Sequence, residues 1–324
     1  MNGRRDNPAQ SVTATRTVLA GGYAWLIALV ALRPGWPEAM LLLAALVAVP
    51  LGLGLVAPPD VYDRRAWAWR AAVRLQVPAA LTLAASFARP VGAVAACLAL
   101  PWLTVTGLAA LCGLARFRRG PRDLAETCLD AGQVYLAVGG TWAVLSRAGL
   151  RPLGFPDVIV GMTAVHFHYA GFALAVLAGL VARATGGAVA GAACLGVIAG
   201  VPLVAAGITE AQVVTGLLPA RMLDLVASGL MAASGILVGG LQVRLAALPD
   251  RPASARLLLA LSGVAVLGPM SLAVAYALGG FTNTVWITIA EMFRYHGAVN
   301  ALGFALPGLM AWSLMAPDDR PSGS

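Results

Sequence analysis

Long apolar segments alternate with short polar connections along almost the whole chain. Ten such segments occur, each close to the roughly 20 residues that a helix needs to cross a bilayer. Prolines lie in or beside most of the connections, where they commonly end helices. The pattern predicts an all-α, polytopic transmembrane helical bundle of about ten helices, with approximate bounds 17–32, 39–57, 66–87, 91–115, 127–146, 157–181, 188–208, 221–243, 255–279 and 296–315.

The connections are too short to hold a soluble domain, so we expect a single transmembrane helical domain over residues 17–316. An N-terminal tail, 1–16, and a C-terminal tail, 317–324, flank it. The least regular stretch is 280–298, which is apolar in places but carries charged residues. We expect a short outer helix there that feeds the last span, and one long tilted helix ending at Met315 is the alternative.

The composition agrees with this pattern. Hydrophobic residues make up 60% of the chain and charged residues 11%, and the mean hydropathy is +0.82. This composition excludes an ordinary soluble domain, and a membrane β-barrel would show short stretches of alternating polarity instead. We therefore expect a multi-pass protein of the cell membrane, surrounded by lipid.

All 22 basic residues are arginine, and the net charge is +8. Such a charge can indicate a nucleic-acid-binding protein, but these arginines lie in short connections, where they act as topology signals. Fifteen lie on one side and six on the other, with Arg74 inside the third segment, so we expect cytoplasmic termini and no nucleic-acid partner. The first side holds Arg4, Arg5, Arg16, Arg64, Arg65, Arg70, Arg116, Arg118, Arg119, Arg122, Arg183, Arg244, Arg251, Arg256 and Arg320; the other holds Arg33, Arg89, Arg147, Arg151, Arg221 and Arg294.

The most unusual segment runs from Asp157 to Gly179, because it carries two histidines near its middle. His166 and His168 lie about 14 and 17 Å below Asp157 at 1.5 Å per residue, close to the bilayer midplane. Titratable side chains at that depth are costly and commonly functional. Two residues apart on a helix, they are separated by about 200°, so we expect one to face a cavity and the other to bond a neighbouring helix. A role as hydrogen-bonding contacts between helices is the alternative.

Further polar residues lie at the predicted outer ends of the later segments. His166 shares a helix face with Tyr169, and His296 shares one with Asn300. Alone, Glu291 and Arg294 would be a solvated ion pair; beside His296 and Asn300 they form a dense polar group for a membrane segment. We therefore place the site in the outer half of the carboxyl-terminal bundle, with Asp157, Glu210, Arg221 and Asp224 on the same side.

A second polar pair, Asp130 and Gln133, lies near the start of the fifth segment. It is either a favourable acid at a helix start or a second polar station in the membrane. The four cysteines are scattered without paired spacing, so they are interpreted as small core residues. They are Cys97, Cys112, Cys128 and Cys194.

The histidines raise the question of a haem or a zinc ion as cofactor. Histidines on two helices can hold a haem iron, and three histidines with a glutamate can hold zinc. However, a last span beginning at His296 would place this residue well above His166, and the chain has no CxxCH motif. We expect no cofactor and no metal.

Two of these stretches resemble the signature segments of a known family. The segments VHFHYAGFALAVLAGL, Val165–Leu180, and HGAVNALGFALPGLMAW, His296–Trp312, resemble those of the YndJ-like family of bacterial multi-pass membrane proteins. Asp130–Gly149 fits the same resemblance more loosely, and the likeness covers roughly residues 90–316. The family is often described as transporter-like or left without a function. The resemblance therefore implies working roles for the histidines and Asn300 without supplying a substrate.

Three functions fit the sequence. The first is a membrane-embedded, cofactor-independent enzyme that isomerises, cyclises or opens an epoxide on a lipophilic small molecule by acid–base chemistry. The second is a secondary, proton-coupled transporter, although no inverted repeat is evident. The third is a structural or signalling subunit. We assign as catalytic His166, His168, Glu291 and His296, and as substrate-binding Tyr169, Arg294, Asn300, Asp157 and Asp224. The oligomeric state is left open.

Overall fold

A computed structural model describes residues 8–57, 66–118, 123–213 and 221–315. Within these ranges the chain forms ten helices and no strand. Eight of the helices are long and apolar enough to cross a membrane. The helices are α1 Pro8–Leu32, α2 Trp36–Leu55, α3 Trp67–Ser86, α4 Ala93–Phe117, α5 Leu124–Ala148, α6 Asp157–Thr185, α7 Gly187–Val213, α8 Met222–Ala246, α9 Ala253–Phe281 and α10 Ile289–Met315.

The predicted all-helical membrane bundle is confirmed. Helices α3 and α5 are not apolar enough to count among these eight. Both carry several charged or amide side chains. The tails 1–7 and 316–324 lie outside the described residues, as do the connections 58–65, 119–122 and 214–220. Cytoplasmic termini remain a prediction, since the arginines of these segments, including Arg4, Arg64, Arg119 and Arg320, carry much of that argument.

Helix α6 forms the centre of the bundle. In its most apolar stretch 89% of the residues are buried, against 78% in α2 and 44% or less in the other spans. It packs against α2, α5, α7, α8 and α10. Glycine allows α5 and α6 to approach closely: a Cβ at Gly139 would lie 2.7 Å from His168 Nδ1, and one at Gly171 would lie 2.9 Å from the Cβ of Tyr135. Larger residues at these two positions would push the helices apart.

Three helices that surround the site, α6, α9 and α10, are interrupted, and proline explains two of the interruptions; a π turn over Met292–Gly297 of α10 has no proline to cause it. Proline lacks an N–H and clashes with the carbonyl four residues earlier. Accordingly, α9 breaks after Ala265, four residues before Pro269. In α10 a π turn, Val299–Ala305, precedes Pro307. Helix α6 contains a π turn over Phe167–Ala173 with no proline to cause it, directly after His166.

The expectation for residues 280–298 is wrong in one respect. Residues 282–288 form the connection, and α10 then continues from Ile289 through its π turns to Met315, which matches the alternative of one long helix. A capping box starts the helix there: the Thr288 side chain accepts from the Glu291 N–H, and the Glu291 carboxylate accepts from the Thr288 N–H. As a result, His296 lies two turns inside the helix and not at its entrance.

The sequence pattern places Arg116 and Arg147 in connections, but the structure places both inside helices. Arg116, near the end of α4, is 7% exposed and pairs with Asp130 of α5 at 2.6 Å. Arg147, near the end of α5, donates to the carbonyls of Ser86 and Arg89 and lies 4.8 Å from the ring centre of Phe87. Both guanidinium groups therefore join helices inside the protein.

Candidate functional site

A cavity of about 410 Å³ lies between α5, α6, α7, α8, α9 and α10. It is lined by the C-terminal parts of α5, α7 and α9 and the N-terminal parts of α6, α8 and α10. These ends meet because consecutive helices joined by short connections run antiparallel. Its volume suits a drug-sized ligand. Most of the wall is apolar, including Val138, Trp142, Met162, Phe167, Met231 and Met270.

His166 supplies the most reactive group in this wall. It is the last residue before the π turn of α6, and its side chain lines the cavity. Its Nε2 atom is buried and has no hydrogen-bond partner among the described residues. A buried imidazole nitrogen usually has a partner. This nitrogen is therefore available to a molecule inside the cavity.

His296 and Asn300 form a fixed polar pair on the α10 side of the same cavity. His296 Nδ1 lies 2.8 Å from the carbonyl oxygen of Pro269, which can only accept, so Nδ1 carries the proton. Nε2 then accepts from the Asn300 amide Nδ2 at 3.1 Å. Both ring nitrogens are therefore occupied. His296 also interacts electrostatically with His166, in contrast to the expectation that the two lie at different depths.

A third group of polar residues lines the cavity nearer the ends of the helices. Asp224 in the first turn of α8, Ser228 one turn later and Tyr276 of α9 all line the cavity here. Arg221, the residue that caps α8, interacts electrostatically with both Asp224 and Tyr276. Its guanidinium packs on α9, since a Cβ at Gly280 would lie 2.7 Å from its Nη1.

His168 faces away from the cavity and joins helices. It is fully buried, and its Nδ1 lies 2.7 Å from the carbonyl oxygen of Ala164. Its Nε2 accepts from the indole N–H of Trp102 on α4 at 3.0 Å, and the two rings are stacked. Both nitrogens are thus satisfied within the protein. Helix spacing alone could not have identified Trp102 as the partner.

We expect His168→Leu to destabilise the protein by about 1–3 kcal/mol, because the buried N–H of Trp102 would lose its acceptor. Thermal unfolding in detergent checks this. The double variant His168→Leu/Trp102→Phe removes both polar groups, so its loss should be smaller than the sum of the two single losses. Additive losses would show that the hydrogen bond does not stabilise the fold.

Tyr169 belongs partly to the cavity and partly to the helix packing. Its ring lines the cavity beside His166, as their shared face requires, and it is 8% exposed. Its hydroxyl, however, donates to the carbonyl of Met40 on α2 at 3.0 Å. Tyr169 can therefore contact a ligand through its ring while its hydroxyl fixes α2 against α6.

Three residues assigned from sequence lie outside this cavity. Asp157 is exposed and forms a bidentate ion pair with Arg151, at 2.6 and 2.7 Å. That pairing raises the pKa of Arg151. Arg294 is exposed, with its guanidinium 5.7 Å from the ring centre of Tyr295. Glu291 is exposed and engaged in the capping box of α10. The capping motif T-x-x-E was the signal that would have identified this last role.

We expect Glu291→Gln to leave the function of the protein unchanged. Glutamine can accept the same hydrogen bond from the Thr288 N–H, so the helix start is preserved. Activity or ligand binding, compared with wild type at equal protein level, checks this. A loss of activity or ligand binding in Glu291→Gln would show that this carboxylate belongs to the functional site.

The structure decides between the two interpretations of Asp130, a helix-start acid or a polar group within the membrane. It lies beyond the first turn of α5, which Asp123 caps, so it is not a helix-start acid. It is 1% exposed and pairs with Arg116, whose Nη1 also donates to the carbonyl of Val56 at 3.1 Å. This pair fixes α2, α4 and α5 at the end of the bundle opposite the cavity.

No group of three or more histidine, cysteine, aspartate or glutamate side chains in the described parts of the chain is arranged to hold a metal ion. Cys128 and Cys194 are buried neighbours between α5, α6 and α7. Their thiols donate to the carbonyls of Ala175 and Ala178, respectively. The described cavity thus offers imidazole, amide, hydroxyl and carboxylate groups for its chemistry.

The ten helices and the mostly apolar cavity between them define a multi-pass integral membrane protein. The sequence profile of the YndJ-like proteins matches residues 39–304, so the chain belongs to the YndJ-like family. It is 30% identical over 223 residues to the uncharacterised membrane protein YndJ of Bacillus subtilis (strain 168). That alignment covers 67% of this chain but 38% of the relative, so the chain spans well under half of the relative's length. No solved structure matches the chain.

Proposed function

We propose that the protein binds a lipophilic small molecule in the cavity and transfers a proton on it, with His166 as the acid–base group. The observation that carries this proposal is that His166 lines the cavity and that its buried Nε2 has no hydrogen-bond partner among the described residues. The apolar walls favour a lipophilic ligand. An imidazole is well suited to both steps of a proton transfer.

In this reaction His166 Nε2 takes a proton from a C–H or O–H bond of the substrate, whose electron pair stays on the substrate. The same proton, or one equivalent to it, then returns to a different atom. The product has the mass of the substrate, as in an isomerisation or a cyclisation. His296, fixed by Pro269 and Asn300, supports the electrostatics of this step from the facing helix.

Chemical profiling of the native host tests the proposal. Cells and medium of the wild type and of a deletion strain are compared by mass spectrometry. The proposal expects one lipophilic compound to disappear from the deletion strain while a compound of equal mass accumulates. If the same compound is merely redistributed between cells and medium, the protein is a transporter and the proton-transfer proposal fails.

A further inference from the structure

The cavity is arranged in three levels along the membrane axis. At 1.5 Å per residue, Asp224 and Tyr276 lie within about 8 Å of the outer ends of their helices. His296, His166 and Asn300 follow at about 10 to 16 Å. Deeper than these, at about 22 Å or more, the lining is apolar, including Leu174, Phe304 and Ala305. We call these levels the mouth, the imidazole level and the floor.

The mouth carries an excess of acidic groups. Asp224 interacts electrostatically with Glu210 at the end of α7 as well as with Arg221. Two carboxylates and one guanidinium leave a formal charge of one negative unit there. The Glu210 Oε2 atom is buried and has no hydrogen-bond donor among the residues that the structure describes. Glu210 is not part of the cavity lining, so Asp224 is the carboxylate that the mouth itself presents, and the negative excess lies beside it.

On the basis of the proposed function, we infer that the ligand is an amphipathic molecule whose head donates hydrogen bonds and carries no negative charge. An alcohol or a protonated amine meets this description. The head lies at the mouth against Asp224, the reacting position lies beside His166, and the apolar tail fills the floor. A carboxylate, phosphate or sulfonate head would meet like charge, which disfavours its binding.

This arrangement explains why a carboxylate lies in the wall of an otherwise apolar cavity. An ionised carboxylate only accepts hydrogen bonds, so it selects donors. Arg221 balances only one of the two carboxylates, and its guanidinium packs on Gly280, so the excess of one negative charge remains. The mouth thereby fixes the depth at which the chain of the ligand reaches the imidazole level.

Photoreactive amphiphiles test the inference on the purified full-length protein in detergent micelles. Three probes share one long alkyl chain, with a diazirine near its end, and differ in the head: alcohol, primary ammonium or sulfonate. Peptide mass spectrometry then measures the labelling of floor residues on α6 and α10. We expect the alcohol and ammonium probes to label the floor at least about tenfold more than the sulfonate probe.

Asp224→Asn should reduce this discrimination by about tenfold, because the amide removes the charge at nearly constant shape. Ser271→Ala is the matched control, since Ser271 is exposed and its hydroxyl bonds the carbonyl of Leu267 in its own helix. The three probes are compared on the wild-type protein itself. A folding defect in Asp224→Asn would therefore not invalidate the test.

Two results would overturn the inference, and they differ in meaning. Equal labelling of the floor by all three probes would refute the head-group selection and leave the proposed function intact. Absence of floor labelling by every probe would refute the inference together with the binding of a lipophilic molecule in this cavity.

Discussion

Replacement of His166 by alanine is expected to lower the rate of substrate conversion by about 10²- to 10⁴-fold, the usual contribution of a general acid–base residue. His166 lines the cavity, and its buried Nε2 has no hydrogen-bond partner among the described residues. Since that atom holds no other helix in place, the fold should tolerate its removal. The measurement is the ratio of product to precursor in host strains with matched protein levels.

The control for this prediction is Asn300→Ala, which removes the partner of His296 Nε2 but leaves His166 untouched. It should reduce conversion less than His166→Ala does, because it acts through positioning and not through proton transfer. Equal conversion by wild type and His166→Ala would mean that this imidazole is not the acid–base group.

Breaking the buried pair of Arg116 and Asp130 is expected to have the largest effect on stability. The two side chains are 8% and 2% exposed and lie 2.6 Å apart. Arg116→Met would leave the Asp130 carboxylate buried without its cation, which costs about 3–5 kcal/mol. Thermal unfolding of the purified protein in detergent would show this as a large fall in the midpoint.

Two comparisons make this result specific to the buried pair. Arg151→Gln breaks an ion pair with Asp157 of the same 2.6 Å length, but its members are 61% and 65% exposed, so its midpoint should stay close to that of the wild type. The double variant Arg116→Met/Asp130→Leu removes both charges and should recover most of the loss. Equal midpoints for Arg116→Met and Arg151→Gln would contradict the structural role of the pair.

The helices could be predicted well because hydrophobic length is the main requirement for a span. The ten segments correspond to the ten helices of the described chain. The central position of α6 does not follow from hydropathy, because α7 and α9 are more apolar and less buried. The start of α10 was missed because Glu291, Arg294 and His296 reduce local hydropathy. A local motif, the Thr288 capping box, determines that boundary instead.

The site could be predicted only in part. Sequence spacing placed His166 with Tyr169 and His296 with Asn300, and all four line the cavity. The partners that satisfy His168, Tyr169 and Asp130 come from other helices, which periodicity does not reveal. Polarity within a membrane segment therefore identified unusual residues without distinguishing helix contacts from cavity groups.

The central claim is that the protein changes its ligand chemically, and detergent-solubilised protein tests this most directly. A lipophilic extract of the deletion strain is incubated with purified wild type or His166→Ala in micelles, where no compartments exist and transport leaves no trace. We predict that the wild type converts one extracted compound to another of equal mass and that His166→Ala does not. An extract that the wild type leaves unchanged would contradict the claim. If deletion also only redistributes a compound between cells and medium, the protein is a transporter.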